Sequence, residues 1–577
     1  MCGVTRSDLR HGMLRAWMLS VICIPLAASA QYPSFELGGL ARGVSDVGFL
    51  TAEDTLARDV NMESHAIYDL ALRGKITSKA EIYTELRLGT NLALFDTSAS
   101  YAQVRRVLLS GQLTPRWNYE IGDIDVVGSP FTIWNSNAEG AVRESALFSQ
   151  WRKLQNYENF SESNSWRLRG AKFEGNWLMK NGGQLKTSSF VSRIQASDEV
   201  LRPDVVFMGS TLSWEKNNVL AALSGQNFAS LGKTVPDGVG SHVANLGGEV
   251  KWKGEEWLWH AEFGGSTATR LGLDGVPNAP NSPTEGGYWN VETQFDFGAS
   301  WTASASARSV SDTYMAPAAQ TKRLLFDAAP SSFAQIGNGA WNRPLSQGDL
   351  LTAPYVPRGS RPWNRAIQRE LMTFDPRYGT ANPYGMATPN RRGLEMELEH
   401  GKAEEPWSVI ARLFALQDLT PEGTLTRRNY VGYAIAGHFD LAALWMGNRS
   451  LNMHGGMQSQ RAQRPETVLD PVELTSSVFD FGVDWAVGEN LQIGYGAKRI
   501  SSQGLEYIAV RDINFEVTGF DRTTLDVTDM LHACGVSWKI NNRTELTTQW
   551  QKWLLRDALQ GHDGSISKVL FLFQSKF

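Results

Sequence analysis

What most constrains the fold of this 577-residue chain is where its tight turns fall. Ten of them, near 77–78, 114–116, 180–183, 215–218, 253–256, 298–300, 402–406, 440–442, 487–490 and 541–543, each join two strand-like segments. The connections between these hairpins are usually longer, near 43–61, 92–100, 124–164, 197–203, 229–241, 267–287, 311–391, 418–427, 451–473, 501–524 and 556–565. Period two is plainest over 62–76, where Met62, Ala66, Tyr68, Leu70, Leu72 and Ile76 alternate with Glu63, His65, Asp69, Arg73 and Lys75. Such a segment is a strand with one apolar and one wet face. A soluble multi-sheet protein has no reason to trim one rim through ten hairpins. Ten tight turns account for twenty strands, and a first strand near 33–42 and a last one at 565–577 bring the count to about 22, with a range of 18–24. Near Gly170 the apolar parity switches from Trp166 and Leu168 to Ala171, Phe173 and Trp177, which predicts a bulge.

The last strand reads SISKVLFLFQSKF. Stepping back by twos from its end gives Phe577, Ser575, Phe573, Phe571 and Val569, an apolar row that stops on an aromatic. Leu570 and Leu572 occupy the other face, so the closing seam is expected to pack against a loop or the N-terminal segment. Trp117, Trp177, Trp214, Trp252, Trp257, Trp301, Trp407, Trp485 and Trp538 all flank tight turns, as an interfacial girdle would. Residues 1–30 carry Arg6, Arg10 and Arg15, an apolar run from Ala16 to Ala28, and Ala28-Ser29-Ala30 before Gln31, the pattern of a cleaved secretory signal. No later apolar run approaches 18 residues. Strands that show lipid only every second residue would leave no such run.

These features resemble bacterial outer-membrane β-barrel proteins of the porin-like kind. The resemblance implies an all-β fold, a transmembrane antiparallel up-and-down β-barrel with short periplasmic turns and long extracellular loops. It implies a single barrel domain over 31–577, outer-membrane lipid around it, both termini periplasmic, and a final strand ending at Phe577 that the barrel-assembly machinery reads. Only a few residues separate Gln31 from the first strand, so the folded plug of an energised transporter is not expected.

Composition narrows the chemistry. The formal net charge is −5, and removing 1–30 makes the remainder two charges more negative, so no nucleic-acid partner is expected. Cys2 and Cys23 leave with the signal, and Cys534 shares the parity of Val536, Trp538 and Ile540, reading as a small lipid-facing residue. No HExxH or GxSxG occurs, and no cysteine cluster or calcium loop appears, so neither an enzyme nor a cofactor or metal is expected. A barrel hydrolase would need a site at the rim that spacing does not reveal.

The predicted inward faces carry the candidate lumen residues Glu81, Glu85, Arg87, Glu292, Asp296, Glu395, Glu397, Asp480 and Asp484. Such rows cost little facing water and much in a dry core. Two connections are long enough to matter. In 124–164, Val142, Ala146, Phe148 or Ser149, and Leu154 allow a short amphipathic helix. In 311–391, Arg358, Arg361, Arg365 and Arg369 are interleaved with aromatics. Porin-like proteins narrow their pore with an inward-folded loop, so this loop, with 124–164, is expected to fold into or over the lumen and present those arginines to solute. The expected function is passage of small hydrophilic solutes. The alternatives are a non-conducting outer-membrane scaffold that binds a surface or secretion partner, and a polysaccharide export porin.

Overall fold

A computed structural model describes residues 33–52, 59–91, 100–133, 143–159, 165–180, 182–196, 204–231, 240–271, 283–298, 300–321, 323–324, 341–342, 367, 371, 374–401, 405–444, 449–467, 469–511 and 517–577. The segment read as a signal, 1–30, and Arg358, Arg361, Arg365 and Arg369 lie outside the described residues.

Twenty-two strands build the wall. The first eight are β1 (Ser34–Ala52), β2 (Asp59–Thr77), β3 (Ala80–Asn91), β4 (Tyr101–Thr114), β5 (Trp117–Val126), β6 (Trp166–Leu178), β7 (Gln184–Gln195) and β8 (Asp204–Lys216). Next come β9 (Val219–Leu231), β10 (Gly240–Lys253), β11 (Trp257–Leu271), β12 (Thr284–Phe297), β13 (Trp301–Val310), β14 (Arg391–His400) and β15 (Trp407–Gln417). The last seven are β16 (Asn429–Asp440), β17 (Leu451–Arg464), β18 (Val472–Ala486), β19 (Leu491–Arg511), β20 (Val517–Asn541), β21 (Thr544–Asp557) and β22 (His562–Lys576). Each pairs antiparallel with its successor, and β22 pairs with β1, so the sheet closes. Nine of the ten expected tight turns join consecutive strands on one rim; at 440–442 the connection on that rim instead runs over 441–450, opening with the helical turn Leu441–Leu444, and much of the 451–473 connection is strand β17. Both Ser34 and Phe577 lie at that rim, because an even number of strands returns the chain to its starting side.

Three expectations are corrected in detail. The first strand runs to Ala52, not to residue 42, and most of the 43–61 and 501–524 connections is strand, since β19 and β20 continue the ladder to Arg511 and from Val517. The bulge near Gly170 is absent: β6 keeps an unbroken register with both neighbours. Its apolar parity switches because Trp166 and Leu168 are buried on the inner face under inserted chain, whereas Phe173 is exposed outside.

The two faces differ as period two requires. Outside stand exposed apolar side chains such as Leu246, Phe263, Leu394, Met396, Leu413, Phe571 and Phe573, and Cys534 is exposed among them. Near the tight turns a chain of rings crosses five strands: Trp257 meets Phe295 at 4.3 Å, Phe297 meets Trp301 at 6.1 Å, and His400 lies 4.5 Å from Trp301 and 3.7 Å from Trp407. Amphipathic rings stacked in one band suit a membrane interface. No described helix is long and apolar enough to cross a bilayer.

At the seam, Gly39 and Phe577 exchange two backbone hydrogen bonds of 3.0 and 3.1 Å. A Cβ on Gly39 would stand 2.2 Å from the Asp69 carbonyl oxygen and 2.7 Å from the Phe577 ring, so the last side chain packs where the first strand has none. Gly39→Val is expected to displace that ring and cost about 1–3 kcal/mol, as overpacking does. The readout is a lower temperature for the heat-induced shift of the barrel in detergent electrophoresis, and an unchanged temperature would refute it.

Candidate functional site: an occupied lumen

The inner face is covered on one side by a helix from the β5–β6 connection, α1 (Ala146–Asn159). Its local sequence explains its start: Ser145 caps it, its hydroxyl oxygen accepting from the Leu147 amide at 3.3 Å while its carbonyl accepts the first helical bonds from Phe148 and Ser149 at 3.1 and 3.0 Å. Leu147, Phe148, Trp151 and Leu154 lie along one side at helical spacing and are buried. The sequence reading chose Ala146 for this side, whereas the buried stripe runs one residue later through Leu147. The apolar side packs on Val44, Leu531, Ala533, Trp553, Ile566, Leu570 and Leu572 of β1 and β20–β22. Leu570 and Leu572 thus meet the loop partner expected of the closing seam.

Both ends of α1 are held by wall charges of the sign its dipole favours. At the N-terminus Asp484 accepts from the Ala146 amide at 2.9 Å and from the Ser145 hydroxyl at 3.1 Å, and His454 stands 3.2 Å from the same carboxylate. At the C-terminus Arg42, Arg87 and Arg105 converge on Glu158. Arg87 also grips Asp69 through two bonds of 2.6 Å, the two-pronged geometry that makes guanidinium–carboxylate pairs strong. The Arg105 guanidinium lies 3.9 Å over the Tyr157 ring and 2.6 Å from Glu85. Midway, Lys498 sits between Asp480 and Glu144, 2.9 Å from the latter, while Arg152 of α1 bonds Glu144 at 2.7 and 3.0 Å. Burial pushes the Glu144 carboxyl up, but Lys498 and Arg152 outweigh it and hold it at about 2. Glu158 is likewise raised by burial and then carried well below the ordinary carboxylate range by its three arginines.

A second insertion comes from the ends of the 311–391 connection. Residues 311–321, with the short helix Pro317–Gln320, lie against β6 and β10–β12: Trp166 donates to the Ala318 carbonyl at 2.6 Å, Asn245 to the Met315 carbonyl at 2.7 Å, and Met315 to Ser266 at 3.0 Å. Gln320 ties this piece to the Ala387 carbonyl at 2.8 Å. Residues 374–381 lie on the inner face of β17–β19, where Gln460 donates to the Tyr378 carbonyl at 3.0 Å and Ser476 contacts the Pro376 carbonyl at 3.3 Å.

Polar positions on the tight-turn half of β11–β15 stay partly open, among them His260, Glu292, Asp296, Thr302, Glu395, Glu397 and Arg412. Here Glu292 lies 3.8 Å from His260, Asp296 accepts from Thr302 at 2.8 Å, Glu395 pairs with Arg308 at 3.1 Å, and Glu397 pairs with Arg412. Of the other candidates, Glu81 pairs with Arg73 at 2.9 Å beside a tight turn. Glu85, Arg87, Asp480 and Asp484 are buried under α1, so the four serve the inserted helix. Glu158, Glu144, Arg42 and Arg105 were missed in the sequence. The usable signal was Glu158, seven residues beyond Trp151 on the buried side of α1.

Sequence comparison finds no matching protein family and no matching characterised protein. Among solved structures the chain is similar to OccK11 (OpdR) of Pseudomonas aeruginosa, at 8% identity and TM-score 0.34, covering 94% of this chain and 96% of that one. It is similar to the P pilus usher (PapC) translocation pore at 9% identity and TM-score 0.35, covering 94% and 99%. It is also similar to the outer membrane protein opdK of Pseudomonas aeruginosa at 9% identity and TM-score 0.31, covering 93% and 99%. Identities this low carry no residue roles into this chain. Its own topology and side chains define a transmembrane β-barrel whose lumen is partly filled by its own chain.

Glu158→Ala leaves three buried arginines facing one another and is expected to cost about 3–5 kcal/mol, read as a lower heat-shift temperature. The acid limb follows from the depressed carboxyls. Their contribution is whole above the ordinary value of 4.5 and is lost as pH falls toward about 2. Glu144 alone accounts for roughly 3 kcal/mol. The heat-shift temperature should therefore be flat above about pH 5, fall below 4.5, and fall less steeply in Glu144→Gln; an identical acid limb in that variant would refute the assignment.

Proposed function

We propose that the protein is a porin-like channel of a bacterial outer membrane, passing small hydrophilic solutes through a lumen narrowed by inward-folded connections. The observation that carries this reading is the polar, partly open wall of β11–β15 beside a fixed helix. A charged wall is cheap only against water, and a lumen this wide invites partial filling. In this reading the tight-turn rim is periplasmic, residues 1–30 are the export signal, and the strand ending at Phe577 engages the assembly machinery. Arg358, Arg361, Arg365 and Arg369 face solute from the 311–391 loop.

Four apolar side chains of α1 are buried against the wall, and at about 1.5–3 kcal/mol each, as an upper estimate, they make it a fixture instead of a swinging gate. That degree of filling favours one second reading, a non-conducting scaffold. Planar bilayers separate the two. Stable single-channel conductance is expected for the intact barrel, and a barrel that stays closed while retaining a partner protein would sink the channel.

Deleting 330–385 is expected to raise that conductance, and an unchanged value would rule out constriction by this loop. Reversal potentials test the arginines: anion preference is expected, and a cation-selective pore unaffected by their removal would discard their role.

A further inference from the structure

On the outside of β19, β20 and β21 the alternation of faces puts cations where lipid is expected. Arg499 stands between the buried Lys498 and Ile500, His532 between Leu531 and Ala533, and Lys552 between Gln551 and Trp553. Since those neighbours point inward, these three point outward. Arg499 is exposed and His532 and Lys552 are half-buried, and Arg556, four residues past Lys552 on the same face, has a side chain 70% exposed. His532 lies directly opposite Lys552, Arg499 opposite Met530 in the next outward row, and Arg556 opposite Thr528 in the row after that. Opposed residues hold their Cβ atoms about 5 Å apart, so the four long side chains share one patch.

Depth follows from Trp538, the outward ring beside the tight turn that ends β20. For a strand tilted about 45°, His532, Met530 and Thr528 stand about 14, 19 and 24 Å above that ring, within and at the top of an apolar band about 25 Å tall. Two other outward arginines carry their own counter-ions: Arg193 donates to Asp204 at 2.7 Å, and Arg461 pairs with Glu473. Lys552 has no such partner among the described residues. The carboxylates on this face are Asp563, 3.9 Å from Arg556, and Asp526, two residues beyond Thr528. Arg499, Lys552 and Arg556 outnumber them. Below the cations lie the exposed rings of Tyr495 and Trp550, the Tyr495 hydroxyl 2.9 Å from His532 Nδ1. Beside them the Ser501 and Thr528 hydroxyls meet at 3.2 Å.

We infer that this outer face of β19–β21 seats an anionic lipid whose phosphate-bearing headgroup is held by Arg499, Lys552 and Arg556 while its acyl chains lie down over Tyr495 and Trp550. Charge chooses the occupant. Lysine and arginine clusters at the edge of hydrocarbon attract anionic headgroups, and guanidinium groups match phosphate oxygens two at a time. Long cationic side chains also reach up toward the headgroup level while their stems stay in the apolar layer. Depth excludes a soluble acidic protein, which stops at the headgroups and leaves Lys552 unanswered. The inference rests on the outer-membrane reading of the barrel, but not on conduction: a barrel that holds phosphorylated lipid yet never conducts would keep this site and discard the channel.

The test is native mass spectrometry of the intact barrel titrated in detergent with lipid A bearing both phosphates, with the same lipid after removal of its phosphates, and with phosphatidylcholine. One phosphorylated lipid is expected to stay bound most tightly, and excess inorganic phosphate is expected not to displace it. Changing Arg499→Gln and Lys552→Gln together should weaken that binding about thirtyfold. Arg193→Gln, on the outer face of β7, should leave it unchanged. The heat shift of each variant shows that its barrel has closed. Equal retention of the dephosphorylated lipid, full displacement by inorganic phosphate, unchanged binding in the double variant, or an equal loss in Arg193→Gln would overturn the site. A lipid-free dimer that the double variant dissociates would give the face to a second copy of the chain and overturn it as well.

Discussion

Closure of the backbone ladder is the constraint on which everything else in this protein depends. A strand at the edge of a sheet leaves its amides and carbonyls unpaired, and in hydrocarbon each such group costs several kcal/mol. The β1–β22 pairing, from Leu40 opposite Lys576 to Ala52 opposite Gly564, removes the last edge. Once the wall is closed, period two divides every strand into a side for lipid and a side for the interior. The even strand number then places the start of β1 and the end of β22 at one rim and leaves the most elaborated connections at the other.

Inside the wall, charge is used mainly to position chain. Arg42, Arg87 and Arg105 balance Asp69, Glu85 and Glu158. Lys498 with Arg152 answers Asp480 and Glu144. Buried pairs of this kind add little net stability over apolar contacts, but leaving one partner alone is costly. Their effect is to fix direction: a carboxylate stands at the start of α1 and guanidinium groups stand at its end, so the reversed helix would face like partial charges at both ends. The apolar side then fixes which strands α1 lies on.

Much of this fold could be read from the sequence because it is written locally. Tight turns, alternation and tryptophan positions repeat every few residues, and they gave the strand number and the faces of Leu570 and Leu572. The use of the inner charges could not be read that way. Glu85, Arg87, Asp480 and Asp484 have the same pattern as Glu292 and Glu397, yet the first four are sealed by α1. What distinguishes them is contact across 116 residues for Arg42 and Glu158, and across 338 for Ala146 and Asp484. No periodicity records such distances. The parity switch at Gly170 misled for a related reason, because inserted chain makes the inner face apolar wherever it lies.

The apolar patch under α1 also bears on the order in which the barrel is made. Residues 146–159 leave the ribosome long before β18–β22, yet these late strands and β1 form the bed on which α1 lies. Neither half of that contact is satisfied alone: the helix shows Leu147, Phe148, Trp151 and Leu154, and the strands show Leu531, Trp553, Ile566, Leu570 and Leu572. The helix and the late strands therefore cover each other's apolar side chains only in the closed barrel. Contacts of such long sequence separation form slowly, and the step that completes the wall is the same step that fills its interior.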